Sequence, residues 1–308
     1  MQQLISVIIP AFNEEKNVSI IAAAIKSVFE KLTYNYEVIF VDDGSSDNTA
    51  SELQKIAEID NNVKYILFSR NFGHQIALKA GLDNAKGDAV ISMDCDLQHP
   101  PALIPKLITE WENGFDIVYT IREDAEQLSY IKKKTSKSFY NFLNNLSDIE
   151  LESGTADFRL MSRQVVNIAK NFTEKDLFWR GLVKWLGFKQ KGIHYKSADR
   201  IFGSSKYTFK KMIRFALSGI TSFSTKPLNI AIYLGFVSAA LSLLYIPYAI
   251  ISYFNGNAVH GWISVIVTIA FFGGLQLLIL GIIGLYLGKL FMQSKQRPLY
   301  IIKNTNCD

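Results

Sequence analysis

Between residues 227 and 288 the chain has no Asp, Glu, Lys or Arg. Helices buried in a large soluble core usually show charge at their margins, so this absence argues against a wholly soluble fold. A bilayer core takes about 20 apolar helical residues to cross, and the uncharged stretch holds two such runs, at 228–254 and 262–287. Between them lies the polar turn Asn255-Gly256-Asn257. Two transmembrane helices joined by a tight hairpin are therefore expected. Cysteine is scarce as well: Cys95 and Cys307 stand far apart without metal-type spacing. That excludes a disulfide framework and fits a reducing compartment. The first residues lack a basic n-region, and their apolar run is too short for a signal peptide, so the first span is expected to direct insertion. No G-x-G-x-x-G follows the first strand, and G-x-x-x-x-G-K-[ST] occurs nowhere, which removes the usual support for dinucleotide or P-loop chemistry.

The net charge of +5 conceals an asymmetry. Residues 1–183 carry 19 basic and 26 acidic side chains, whereas 184–226 carry 10 basic and one acidic. Beyond residue 288 come Lys289, Lys295, Arg297 and Lys303 against Asp308. Basic residues thus crowd the membrane-proximal ends of both runs, and the connecting turn has none. The positive-inside rule then places both termini in the cytoplasm. The same cations would attract anionic membrane lipids, and nothing calls for a nucleic-acid partner.

Along the first 120 residues β-branched apolar runs alternate with helical periodicity. Strands are expected at 6–10, 37–41, 63–68, 89–93 and 116–120, with helices at 14–32, 48–59, 75–85 and 102–111. Such alternation predicts an α/β fold with a mostly parallel sheet covered by helices on both faces. Residues 153–163 read as a loop entering a helix. Phe209, Met212, Ile213, Ala216, Leu217 and Ile220 fall on one helical face with Lys206, Lys210, Lys211 and Arg214 elsewhere, as an interfacial amphipathic helix would. The expected domains are a catalytic one at 1–205, a juxtamembrane helix at 206–226, a transmembrane hairpin at 227–288 and a cytoplasmic tail at 289–308.

In open α/β sheets ligands bind beyond the carboxyl ends of the strands. Polar clusters stand at four such ends: Asn13-Glu14, Asp42 to Asp47, Arg70 to His74, and Asp94 to Gln98. Asp94 and Asp96, one residue apart after an apolar run, suit a divalent ion on oxygen ligands. His74 and His99 fit packing or hydrogen bonding better, because a hard ion prefers oxygen.

Five motifs in order carry a resemblance: Pro10 to Glu15 (PAFNEE), Val41 to Asp47 (VDDGSSD), Arg70 to Gln75 (RNFGHQ), Asp94 to Pro100 (DCDLQHP) and Asp157 to Leu160 (DFRL). Together they resemble the family-2 inverting glycosyltransferases of the GT-A fold. Within that family the chain is most similar to polyprenyl-phosphate sugar transferases, the undecaprenyl-phosphate glucosyltransferases and dolichyl-phosphate mannose or glucose synthases. The likeness spans essentially the whole chain, including the two spans of the glucosyltransferase branch. Cys95 stands where Ala is more usual, and the Q-x-x-R-W of processive members is absent, which favours transfer of one sugar.

The resemblance implies a nucleotide sugar, preferably UDP-glucose, as donor, held by Pro10, Asn13, Glu14, Asp42, Asp43 and Asp94. It implies Mg²⁺ or Mn²⁺ on Asp94, Asp96 and Gln98, and assigns the catalytic carboxylate to Asp157. Arg122, Arg200, Ser205 and Lys206 are candidates for the phosphate of a polyprenyl acceptor. A lipid monophosphate has a second pKa near 6, so it is already a competent nucleophile, and whether Asp157 acts as a base, orients the acceptor or balances nearby cations is left open. The expected product is a lipid-linked sugar for the cell envelope, made at the cytoplasmic face of a bacterial membrane. GDP-mannose as donor, a nucleotidyl or phosphoryl transferase using the same metal site, an inactive membrane adaptor and a homo-oligomer are left open.

Overall fold

A computed structural model describes residues 2–123, 154–196, 221, 224–255 and 261–307. The elements are β1 (Leu4–Ala11), α1 (Val18–Phe29), β2 (Asn35–Asp42), α2 (Thr49–Ile59), β3 (Val63–Phe68), α3 (His74–Asn84) and β4 (Ala89–Ser92). There follow a 3₁₀ turn at Pro101–Leu103, α4 (Ile104–Glu112), β5 (Ile117–Arg122), β6 (Thr155–Ser162), α5 (Arg163–Ala169), α6 (Trp179–Trp185) and β7 (Gln190–Tyr195). Two long helices, α7 (Lys226–Phe254) and α8 (Trp262–Ser294), precede β8 (Ile302–Thr305).

The strands form one eight-stranded sheet in the order β7-β5-β6-β4-β1-β2-β3-β8. The pairs β1–β2, β1–β4, β2–β3 and β5–β7 are parallel; β4–β6, β5–β6 and β3–β8 are antiparallel. The expected α/β sheet is present, mixed but with parallel pairs in the majority. Its centre is β1, where Ile5, Val7, Ile8 and Ile9 are fully buried because helices cover both faces. Each such side chain contributes about 1.5–3 kcal/mol relative to exposure. Helix α1 turns Val18, Ile21, Ile25 and Phe29 into that core at the spacing of a single stripe. On the other face α3 lies so close to β1 that a Cβ at Gly81 would meet Ile8 Cγ2 at 2.1 Å.

Helix α1 starts four residues later than its periodicity suggests. The Asn17 and Val18 amides donate to Glu14 O at 2.9 and 3.2 Å, and Asn17 Nδ2 donates to Glu14 Oε2 at 2.6 Å. That turn ties the segment to the rim of the sheet. Pro10, the penultimate residue of β1, lies past the last β4 pair, Ile8 with Ser92. The Ile8 carbonyl accepts from Met93 on that side, so by alternation the missing N–H of Pro10 points where the ladder has stopped.

Two expectations are corrected. Residues 155–162, read as a loop, are the strand β6, inserted antiparallel between β4 and β5. Both faces of this strand are buried, so Asp157, Arg159 and Met161 are as enclosed as Ala156, Phe158 and Leu160, and no polar-out alternation marks it. Ser92 Oγ and Thr120 Oγ1 donate to its carbonyls at Asp157 (2.6 Å) and Phe158 (2.9 Å). Segment 289–308 is not only a tail. Tyr300 stacks on Phe68 with centroids 5.3 Å apart and donates to Asp83 Oδ2 at 2.9 Å, and β8 then pairs with β3.

The described residues divide into two compact units: 2–123, 154–196 and 298–307 in one, 221, 224–255 and 261–297 in the other. In the second unit α7 is 29 residues long and α8 is 33. Among the described residues one segment, Val267–Ser294, is long and apolar enough to cross a membrane; the described apolar run in α7 is the shorter Lys226–Leu241. The basic helix expected at 206–226 lies almost wholly outside the described residues.

Candidate active site

The four polar clusters expected at strand ends are joined in one hydrogen-bonded rim. After β1, the Asn13 amide donates to Ser45 Oγ at 2.9 Å, and Asn13 Oδ1 accepts from the Ser46 amide at 2.9 Å. Asn13 is held at φ 57°, a left-handed conformation Asn tolerates better than most residues. Glu14 N donates to Thr49 Oγ1 at 2.9 Å, so the loops after β1 and β2 are locked together. Asp42, at the end of β2, accepts from the amide of Ser45 at 3.2 Å and from its hydroxyl. Burial raises the Asp42 carboxyl above its ordinary range, and the Ser45 hydrogen bonds oppose that in part.

Asp43 faces the other way. Its Oδ1 accepts from Phe72 N at 2.6 Å and its Oδ2 from Gly73 N at 2.9 Å, so this buried carboxylate fastens the loop after β3. Gly44 between the clusters has φ 71°, and a Cβ there would stand 2.4 Å from the Arg70 carbonyl carbon. The close approach of the two loops therefore requires glycine at this position.

Past β4 the chain turns, with Leu97 at φ 60°. Cys95, Leu97 and His99 are buried, while Asp94, Asp96 and Gln98 are half-exposed. The Cys95 thiol, pushed up by burial, belongs to the core. Asp94 Oδ1 lies 2.8 Å from His74 Nε2 at the start of α3, and the Asp94 amide donates to His99 Nδ1 at 3.0 Å. His99 stacks on Phe158 of β6 at 5.4 Å. Burial disfavours a charged His74, but the carboxylates of Asp94 and Asp157 outweigh it and raise the imidazole to about 9. Burial likewise opposes ionisation of Asp94, yet the imidazoles of His99 and His74 hold it at about 2. Asp96 Oδ1 accepts from Gln98 N at 3.2 Å, and Gln98 Oε1 accepts from Arg122 Nη1 at 3.3 Å.

No group of three or more His, Cys, Asp or Glu able to hold a metal occurs among the described residues. The fit of a divalent ion therefore rests on the donor chemistry of Asp94, Asp96 and Gln98, two carboxylates and an amide oxygen within one turn. Such a set suits the hard ions Mg²⁺ and Mn²⁺.

Asp157 is the most constrained group of the rim. The β4–β6 register pairs Ser92 with Arg159. Two residues beyond that pair stand Asp94 and Asp157, and the Asp157 charge acts to raise the Asp94 carboxyl. Asp157 Oδ1 accepts from Arg159 Nη2 at 2.9 Å and Arg180 Nε at 3.1 Å, and Oδ2 accepts from Arg180 Nη2 at 3.1 Å. Burial opposes its charge, but Arg180 and Arg159 hold its carboxyl well below the usual range. Arg159 is buried and also donates to Trp179 O (3.3 Å) and Ala156 O (3.1 Å). Arg180 is set by α6, whose Trp179 amide and indole N–H donate to Gln75 Oε1 and O at 3.0 and 2.9 Å.

The structure thus brings together Asn13, Glu14, Asp42, Asp43, Asp94, Asp96, Gln98, Arg122 and Asp157 at the carboxyl rim, with Pro10 at the end of β1. Arg200, Ser205 and Lys206 lie outside the described residues. Sequence reading passed over Arg180, which stands in no recognised motif, and gave His74 and His99 no part in holding Asp94.

A sheet of this order, with a carboxylate-lined rim and an antiparallel β6 between β4 and β5, is a GT-A-type α/β fold. Residues 6–168 match the model of Glycosyl transferase family 2, and the chain belongs to that family; it is a glycosyltransferase. Similar over nearly their full length are the "Uncharacterized glycosyltransferase YkcC" of Bacillus subtilis (42% identity, 97% of this chain and 93% of the relative) and the "Bactoprenol glucosyl transferase" of Shigella phage SfV (42%, 97% and 98%). So is the "Prophage bactoprenol glucosyl transferase homolog" of Escherichia coli (42%, 97% and 98%). Among solved structures, mannosyl-3-phosphoglycerate synthase from Rubrobacter xylanophilus is similar at 15% identity with a TM-score of 0.47, covering 70% of this chain and 71% of that one.

Proposed function

We propose that the protein moves one glucose from UDP-glucose to a polyprenyl phosphate, inverting the anomeric centre, as an integral membrane enzyme whose catalytic domain faces the cytoplasm. The observation that carries this reading is the 42% identity to a bactoprenol glucosyl transferase over 97% of the chain, which takes in the apolar helices as well as the sheet.

The nucleoside is assigned to Asp42 and the segment Pro10 to Glu14 on one side of β4. Asp94, Asp96 and Gln98 would hold Mg²⁺ or Mn²⁺, which when bound would neutralise charge on the departing diphosphate. A phosphate oxygen of the lipid attacks the anomeric carbon from the face opposite the leaving group. The new C–O bond forms as the bond to the nucleoside diphosphate breaks, and no proton need be removed from a phosphate dianion. Asp157 suits orientation better than base catalysis, because a useful base has a pKa near the operating pH and two guanidiniums hold this one far lower. Arg122, Arg200, Ser205 and Lys206 remain assigned to the acceptor phosphate.

Two membrane crossings are supported by connectivity. The first unit contains both the chain before α7 and the strand after α8. A chain that leaves one side of a bilayer and returns to the same sheet crosses an even number of times. Val267–Ser294 is long and apolar enough to be one crossing, and α7, 29 residues or about 43 Å long, is long enough for the other.

The test is a panel of radiolabelled UDP-glucose, UDP-galactose, UDP-N-acetylglucosamine and GDP-mannose, each incubated with undecaprenyl phosphate and membranes containing the protein. Lipid-linked label from UDP-glucose, with UDP released, is expected. Label from GDP-mannose alone would make it a mannose synthase, and release of pyrophosphate would overturn glycosyl transfer.

A further inference from the structure

We infer that Lys303, on the last strand of the chain, reads the base of the donor nucleotide together with Asp42, donating to the uracil carbonyl farther from the ribose. This rests on the UDP-glucose donor and the nucleoside site at Asp42 proposed above.

Three observations converge. First, the register brings Lys303 level with Asp42. Asp42 on β2 pairs with Leu67 on β3, and Leu67 pairs in turn with Asn304 on β8, next to Lys303. Adjacent strands lie about 4.8 Å apart, so two such spacings separate the backbones, and the four-carbon stem of a lysine covers part of that gap. Burial raises the Asp42 carboxyl and the Lys303 ammonium acts in the opposite sense, so its field reaches that carboxylate.

Second, Lys303 stands at an irregularity in the ladder. The β3–β8 register shifts between Leu67 and Phe68, whose partners are Asn304 and Ile302, which leaves Lys303 as the extra residue of a bulge. A bulge re-aims the side chain it carries. Lys303 is exposed, yet the chain on both sides of it is fastened. Ser69 N donates to Ile301 O at 3.0 Å, Thr305 Oγ1 donates to Tyr65 O at 2.9 Å, and Asn306 Oδ1 accepts from Tyr65 N at 2.6 Å. Regular pairing would suffice to cover an open edge; a bulge between two anchors also fixes where one side chain begins.

Third, strand order orients the base. Asp94 and Asp96 follow β4, Asp42 ends β2 and Lys303 lies on β8, in the sheet order β4-β1-β2-β3-β8. A nucleotide with its diphosphate beyond β4 and its base at Asp42 turns the base edge remote from the ribose toward β8. On uracil that edge carries an N–H beside a carbonyl. An ionised carboxylate only accepts and an ammonium only donates, so Asp42 takes the N–H and Lys303 the carbonyl. The Ser45 hydroxyl and the 3.2 Å amide contact fall on Asp42 Oδ1, with the amide 3.4 Å from Oδ2, so Oδ2 keeps room for the base. Cytosine has an amino donor where uracil has that carbonyl and a bare ring nitrogen in place of the N–H, so it mismatches both partners. Guanine repeats the carbonyl beside an N–H.

The experiment uses the full chain in detergent micelles with Mn²⁺. Affinities for UDP, CDP and GDP are measured for wild type, Lys303→Arg and Lys303→Met, together with thermal unfolding and sugar transfer from UDP-glucose to undecaprenyl phosphate. Wild type is expected to bind UDP at least tenfold tighter than CDP. Lys303→Met, which keeps an unbranched stem and removes the charge, should weaken UDP at least fivefold and CDP less than twofold, while Lys303→Arg retains most of the preference. An unchanged ratio of UDP to CDP affinity in folded Lys303→Met overturns the assignment, and an equal loss of both would put the ammonium on the phosphates instead. The two readings fail separately. If wild type binds GDP tighter than UDP, and Lys303→Met weakens GDP but not CDP, the donor is wrong and Lys303 still reads a carbonyl beside an N–H. If UDP-glucose is used and Lys303→Met leaves the ratio unchanged, only the role of Lys303 is lost.

Discussion

His74 Nε2 lies 2.8 Å from Asp94 Oδ1, so the first carboxylate of the D-x-D is held by the first residue of α3. His99 secures the backbone of the same residue from the opposite direction. The two histidines therefore set where Asp94 points, although neither is needed as a ligand.

Asp94→Asn and Asp96→Asn should each lower transfer at least a hundredfold and abolish the dependence of UDP binding on Mn²⁺. Wild type treated with a chelator should lose activity and regain it with Mg²⁺ or Mn²⁺. Nucleotide affinity measured with and without the ion checks this; unchanged ion dependence in both variants would remove the metal role.

Replacing His99 by Phe keeps a ring against Phe158 but takes away the Nδ1 to which the Asp94 amide donates. A fully buried donor left unsatisfied costs about 1–3 kcal/mol, and this part-buried amide should cost less. Lower thermal stability, with donor affinity reduced through misplaced Asp94, is the expected result.

The depressed Asp157 carboxyl has a definite consequence for pH. Its folded pKa lies below the unfolded value, so its stabilisation is complete above about pH 4 and is lost as pH falls toward the folded value. Asp157→Asn should flatten that acid limb of thermal stability. Catalysis in wild type should show no Asp157 limb between pH 6 and 8 and should decline only as the acceptor phosphate protonates near 6. A pH–rate profile together with unfolding at several pH values tests both.

Gly81 and Ile8 should behave as a coupled pair. A methyl group at Gly81 meets Ile8 Cγ2, and overpacking of this kind costs about 1–3 kcal/mol. Gly81→Ala combined with Ile8→Ala should be less destabilised than the two single changes predict together. Strict additivity in denaturant unfolding would contradict the contact.

Topology is checked by labelling in a Cys307→Ser background. Asn257→Cys should react with a membrane-impermeant maleimide added outside intact cells, and Lys303→Cys only after permeabilisation. External labelling of both would break the argument from the β3–β8 pairing.

What the sequence by itself determined is local. Buried parallel strands read as apolar runs, helices as stripes, and the two long apolar helices as an absence of charge, because each of these signals lies within about 30 contiguous residues. The first five strands and four helices fall where the periodicity places them to within a few residues, and the rim of carboxylates follows from the rule that strand ends face the ligand. Gln98 entered only through resemblance to a family, since an amide after a D-x-D has no local signature.

Tertiary structure decided the rest, because the deciding interactions join residues far apart in the chain. Strand β6 looked like a loop because its Asp157 and Arg159 are buried in each other's company, and that pairing is visible only when β4 and β5 enclose the strand. Arg180 reaches Asp157 across 23 residues, and Trp179 reaches Gln75 across 104. The C-terminal strand finds β3 across more than 230 residues, where an unpaired edge and the Phe68 ring await it. Hydrogen bonds and ion pairs of this kind leave no period in the sequence, because their partners are chosen by the sheet and not by the neighbouring residues.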